Sequence, residues 1–165
     1  IKSDTSMFRL SCHPNSSISV AGINNVLTGW ERFDGWVPDV ICIDYADILT
    51  PMDNSAGESR DKVNATWKAL RRMSQERNIL VATATQSDAA GFDATVLTRR
   101  NFSEDNRKLA HVTGMVGLTR TEADKEKGVF RWNWIVLRED EFFETKCVFS
   151  AGCLGVAAPC ILSTY

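Results

Sequence analysis

The 165-residue sequence lacks a disulfide signature: its five cysteines (Cys12, Cys42, Cys147, Cys153 and Cys160) are odd in number and include no CxxC pair. With Cys42 inside an apolar run, free thiols in a reducing compartment are expected. No apolar run approaches the ~20 residues needed to span a bilayer, which excludes a membrane-spanning helix, and no secretory signal peptide is visible. Charge of one sign is also missing. A formal net charge of −2 gives no global pull toward nucleic acid or an anionic membrane, so any contact with either must come from a local patch. Histidine is scarce, at two residues, and His111 has no second histidine or cysteine at ligand spacing, which argues against a metal centre there. Internal repeats and low-complexity segments are absent. The chain opens with Ile1 and not methionine, as a fragment or processed product would.

What remains is the composition of a soluble globular protein, 44% hydrophobic and 24% charged, with the length of one ordinary domain spanning residues 1–165. Its centre is the stretch Pro38-Asp39-Val40-Ile41-Cys42-Ile43-Asp44-Tyr45-Ala46-Asp47. Four consecutive apolar residues predict a strand buried on both faces, as in a parallel sheet with helices above and below. The strand stops at Asp44. In an open α/β sheet the carboxyl ends of the strands line the ligand crevice, which places this acid where chemistry would occur. A helix cap for the following segment is the competing role.

Around this centre the elements alternate. Met7–Ser11 reads as a short strand closed by His13-Pro14-Asn15. Ser16 or Ser17 can cap a helix with Val20, Ile23, Val26 or Leu27, and Trp30 at helical spacing. A polar loop over Thr50–Gly57 leads to a second helix, Ser59–Arg77, whose inner face is Val63, Trp67, Leu70 and Met73. Its outer face is basic (Lys62, Lys68, Arg71, Arg72), as a solvated face would be. Asn78 closes it. Ile79–Thr85 forms the next buried strand, ending at Gln86, so strand, helix, strand, helix, strand predicts a parallel sheet with right-handed crossovers. Ser87–Asn106 shows no clean period and reads as a long functional loop containing Arg99 and Arg100. Val112–Thr119 is another strand, Glu122–Lys127 a charged turn, and Val129–Leu137 with Phe142–Phe149 a hairpin. Trp67, Trp132 and Trp134 lie on apolar stripes, where core packing outweighs base stacking.

Taken in order, these pieces resemble the C-terminal part of a RecA-fold ATPase, closest to replicative hexameric helicases of the DnaB type, and phage-like in wording. The matching residues are Ile43-Asp44-Tyr45-Ala46-Asp47-Ile48-Leu49 as the Walker B strand, the helix containing Trp67-Lys68-Ala69-Leu70-Arg71-Arg72, and a strand ending Thr85-Gln86-Ser87. Lys108–Leu118, Thr119-Arg120-Thr121 and a strand ending in Arg138 complete the set, which runs from about residue 8 to 149. The resemblance implies an α/β, RecA-like P-loop NTPase core with a C-terminal hairpin. It further implies ATP and Mg2+ as cofactors, single-stranded DNA as partner, assembly into a homo-oligomeric (hexameric) ring, and a cytoplasmic setting in a bacterial or phage-infected cell.

Residue roles follow from the same resemblance. Asp44 would accept from water on magnesium, which keeps several waters and few protein ligands. Gln86 would sense the γ-phosphate through its amide, or alternatively pair with loop backbone. Arg99 and Arg100 would contact DNA phosphates in the channel-lining loop, or simply be solvated. Arg138 would be the arginine finger reaching a neighbouring subunit's nucleotide, or a charge leaving the apolar face it shares with Trp132, Trp134 and Val136.

Several departures stand out. No Gly-rich loop ending in Gly-Lys-Ser/Thr occurs, so the phosphate cradle and the catalytic glutamate of this family are expected upstream of Ile1, and this chain alone is expected to be inactive. Val136 stands where a lysine often precedes the finger, and Asp88-Ala89 where an Asn-Arg pair often follows the sensor. Two alternatives remain: a recombinase- or clock-type RecA-fold ATPase, and a non-catalytic RecA-like module for oligomerisation or DNA loading.

Overall fold

The computed structural model describes residues 7–51, 59–92, 94–152 and 161–164. The predicted strand at Met7–Ser11 is absent: residues 7–14 run without regular structure, and Arg9 is held by contacts to helix α1 and the segment after it. Helix α1 (Val20–Asp34) begins later than Ser16 or Ser17 would place it. Its cap is Ser19, whose Oγ accepts from the Gly22 amide at 3.2 Å. It ends at Gly35, which takes φ 63° so that its own N–H and that of Trp36 can return to the Glu31 and Trp30 carbonyls. Trp36 then packs edge-on against Trp30 at 5.3 Å, with the Arg9 guanidinium over both rings and paired to Asp34.

Strand β1 (Val40–Ile43) follows, then a 3-10 turn (Ala46–Ile48), and α2 (Ser59–Arg77), whose bounds are those of the sequence expectation. Most of the predicted Thr50–Gly57 loop lies outside the described residues. Trp67, Leu70 and Met73 of α2 are buried with Val20 and Leu27 of α1 and Ala46 of the turn, forming one core; Val63 packs against it. Arg77 ties the two helices together, donating from Nη2 to the Asn24 carbonyl at 3.1 Å and to Thr28 Oγ1 at 2.6 Å. Asn78, at φ 53°, closes α2 as expected, because a short polar side chain tolerates the left-handed region.

Strand β2 (Leu80–Thr83) pairs with β1 in parallel, Val40 opposite Leu80 and Ile43 opposite Thr83. Neither strand is buried on both faces. Val40 is 50% and Leu80 59% exposed, and Cys42 and Ala82 lie on the same open side. Ile41, Ile43 and Val81 face the helical core. An apolar run signals a strand but says nothing of what covers its second side.

The long segment predicted as a structureless loop is instead ordered into α3 (Ala89–Phe92) and a 3-10 helix (Arg99–Ala110). This 3-10 helix packs on α2. The expected single parallel sheet divides in two. A second, antiparallel sheet takes the order β3-β4-β5-β6, from β3 (Gly114–Thr119), β4 (Val129–Leu137), β5 (Cys147–Gly152) and β6 (Ile161–Thr164). The predicted β4–β5 hairpin is present, with β5 starting later than Phe142, and the charged turn forms the short helix α4 (Glu122–Glu126). The inner face of this sheet supplies Ile135, which joins Leu97, Phe102 and Val136 in a second core. Its other face leaves Val116, Leu118, Trp134 and Val148 between 42% and 50% exposed. Trp134 therefore does not pack in a core as its apolar stripe suggested, whereas Trp67 does. Among the described residues no helix is long and apolar enough to cross a membrane. Cys12, Cys42 and Cys147 are free thiols; Cys153 and Cys160 lie outside the described residues.

Candidate nucleotide edge and arginine cleft

The parallel register fixes the level at which β1 and β2 stop, and Thr83 Oγ1 reinforces it by donating to the Ile43 carbonyl at 2.8 Å. Asp44 is the first residue past β1, and its peptide bond to Tyr45 is cis. Gln86 follows β2 on the same side, a little beyond the ladder, since the strand ends at Thr83 and not at Thr85. Both side chains are exposed and neither makes a hydrogen bond to a described residue. Asp44 caps nothing: the residue at the start of the following 3-10 turn is Tyr45, with no side-chain cap. A single carboxylate at a strand end, with no partner among the described residues, suits magnesium, which takes one or two carboxylates and completes its shell with water and phosphate. Among the described residues no group of three or more His, Cys, Asp or Glu side chains could hold a metal by itself.

Beneath this edge lies a buried polar cluster that the sequence pattern did not reveal. Asp47 Oδ1 accepts from Trp67 Nε1 at 3.0 Å, and Asp47 Oδ2 accepts from the Thr85 hydroxyl. Lys108 Nζ donates to Thr85 Oγ1 at 2.7 Å and sits 3.6 Å from Asp47 Oδ2. Lys108 is 8% exposed, so its charge is compensated inside the protein and not by water. The cluster joins the turn after β1, helix α2, the end of β2 and the 3-10 helix. It therefore sets the spacing of the two strand ends that present Asp44 and Gln86. Lysine is rarely fully buried without a partner, and the partners here are remote in sequence, beyond the reach of any local periodicity.

The three arginines assigned to two separate tasks in the sequence line one cleft of about 530 Å3, floored by Leu109, Val136 and Leu137. Arg138 directly follows β4. Its Nε donates to the Val112 carbonyl at 2.6 Å and its Nη2 to the Ala110 carbonyl, so it is anchored on one edge of the guanidinium. Arg99 donates from Nε to the Ile135 carbonyl and pairs with Glu144, each at 3.2 Å, and lies over the Phe142 ring. Arg100 is exposed and has no partner among the described residues. Elsewhere, Asp124 caps α4 by accepting from the Thr121 amide and hydroxyl and is gripped by Arg131 at 2.7 and 3.2 Å. The Arg131 guanidinium first, and Thr121 second, hold this carboxyl far below the usual carboxylate range.

A mixed α/β chain with parallel strands ending in an acid and an amide, followed by an antiparallel sheet, has the architecture of RecA-like helicase ATPase domains. Two solved structures carry it. One is a DnaB-like replicative helicase described with its interactions with primase (TM-score 0.70, 15% identity, 83% of this chain covered). The other is a separately solved ATPase domain (TM-score 0.69, 17% identity, 81% of this chain covered). The chain spans 34% and 48% of those two chains. No protein-family model matches it, and no curated protein does. At these identities the likeness is one of fold.

Proposed function

We propose that this chain is the C-terminal part of the motor domain of an ATP-driven, ring-forming DNA helicase, forming one domain over residues 1–165 and working in the cytoplasm of a bacterial or phage-infected cell. The observation that supports this best is the parallel pairing of β1 and β2, which brings Asp44 and Gln86 to the same sheet edge with no hydrogen-bond partner for either among the described residues. In this role Asp44 holds water on a bound magnesium ion, and the ion neutralises charge on the transferring phosphoryl oxygens. Gln86 donates its amide to a terminal phosphate oxygen and loses that bond when the phosphate leaves. Arg138 turns the unused edge of its guanidinium toward the nucleotide of a neighbouring subunit, where a planar fork of donors matches phosphate geometry. Arg99 is the poorer candidate for single-stranded DNA, because Glu144 already compensates its charge; Arg100 is the better one on charge alone.

The phosphate cradle that such a motor requires is proposed to lie upstream of Ile1. The test is ATP hydrolysis by the full-length protein with Asp44→Asn. Loss of at least ~10³-fold in kcat, with the fold retained, is the expected result, since the magnesium site loses its anion. Hydrolysis within a few fold of wild type would overturn the motor assignment. It would favour instead a non-catalytic RecA-like module, for which the open apolar side of β1 and β2 offers a contact surface.

A further inference from the structure

We infer that Arg100 and Arg138 together form a phosphate-binding site in the cleft between the Arg99–Ala110 3-10 helix and the end of β4, so that Arg100 acts with the finger position and not on DNA. Of the three arginines there, Arg99 is neutralised by Glu144, whereas no carboxylate among the described residues pairs with Arg100 or Arg138. Two uncompensated guanidinium groups therefore share one concave space. Its apolar floor of Leu109, Val136 and Leu137 brings no side-chain anion against them, and a low-dielectric wall strengthens their pull on an entering anion. Arg138 spends one edge on the Val112 and Ala110 carbonyls, which fixes its orientation and leaves its remaining donors free. Arg100 supplies a second fork from the first turn of the neighbouring helix.

Phosphate is the matching chemistry, because several oxygens on one centre can accept from two forks at once. A cleft of about 530 Å3 also has the size of a small-ligand site. A strand of nucleic acid instead favours an open groove with cations spaced along it. The polyphosphate of a nucleotide is thus the preferred source over the DNA backbone.

Assignment to a nucleotide deepens the motor proposal and rests on it, but the phosphate site is measurable without hydrolysis, so the two can fail separately. The chain is titrated calorimetrically with inorganic tripolyphosphate and, in a second series, with a single-stranded oligothymidylate. Arg100→Ala and Arg138→Ala are each expected to weaken tripolyphosphate binding about tenfold or more, as loss of a charge-assisted hydrogen bond implies. Arg100→Lys should retain part of the affinity, and Lys68→Ala on the exposed face of α2 should leave it unchanged. Because Arg100 bonds to no described residue, its variants leave the fold intact even if Arg138→Ala disturbs the loop it anchors. No tripolyphosphate binding by the unaltered chain, an unchanged affinity in Arg100→Ala, or an equal loss in Lys68→Ala would overturn the site. A loss confined to oligothymidylate would overturn the choice of a polyphosphate and return Arg100 to DNA.

Discussion

Replacing Lys108 by Met tests whether the buried cluster joins the strand ends. Met keeps most of the apolar stem and removes only the charge, so lost packing contributes little. At 3.6 Å and an effective dielectric of about 20, the attraction between Lys108 and Asp47 is about 5 kcal/mol before desolvation is subtracted. Breaking one side of a fully buried pair costs about 3–5 kcal/mol, mostly because the remaining charge is stranded. Asp47 is not fully stranded. Its side chain is 22% exposed and keeps Trp67 Nε1 and the Thr85 hydroxyl, so the expected loss is about 2–3 kcal/mol. Against a typical domain stability of about 5–15 kcal/mol, that is a large downward shift of the urea midpoint at constant slope. Adding Asp47→Asn removes the stranded anion while sparing the Trp67 hydrogen bond, so the double variant should lie closer to wild type than the sum of the single losses, by about 1 kcal/mol or more. A loss below about 0.5 kcal/mol for Lys108→Met, or strict additivity in the double variant, would show that the cluster does not bind these elements together.

Two other perturbations read the antiparallel half of the chain. Asp124 is held far below the unfolded carboxylate value of about 4 by Arg131 and Thr121. Its stabilisation is therefore complete above about pH 4 and is lost as the pH falls below that value toward the depressed folded one. Urea midpoints measured across this acid range should fall less steeply in Asp124→Asn than in wild type; equal slopes would remove Asp124 as the responsible group. Gly117 of β3 faces Asn133 and Ile135, and an added Cβ would stand 2.8 Å from Asn133 Oδ1 and 3.0 Å from both Ile135 Cδ1 and Leu97 Cβ. Gly117→Ala should cost about 1–3 kcal/mol by overpacking, and an unchanged thermal midpoint would refute it.

The elements legible in the sequence were those whose pattern is local. Val63, Trp67, Leu70 and Met73 recur at helical spacing, and α2 has the bounds that this spacing implied. The aromatic and β-branched alternation of Val129–Leu137 likewise located β4. The Arg99–Ala110 helix was illegible because its apolar residues Phe102 and Leu109 are too few to make a stripe; it is shaped by packing against α2 and β4. Asp44 and Gln86 were legible as strand-end residues, and their neighbouring strands place them on one edge as the pattern required. Lys108 was not, since only the fold brings it to Asp47. The convergence of Arg100 with Arg138 was hidden for the same reason: one belongs to a helix that the pattern missed, the other to a strand that it found.

The uncovered side of β1 and β2 sets how this chain behaves in solution. Val40 beside Leu80 presents hydrocarbon to water at mid-strand, and such a surface gains free energy from any apolar object that displaces the water. Handled at high concentration, the chain is therefore adhesive on that side, and its colloidal behaviour will follow temperature and excluded salts in the way hydrophobic contacts do.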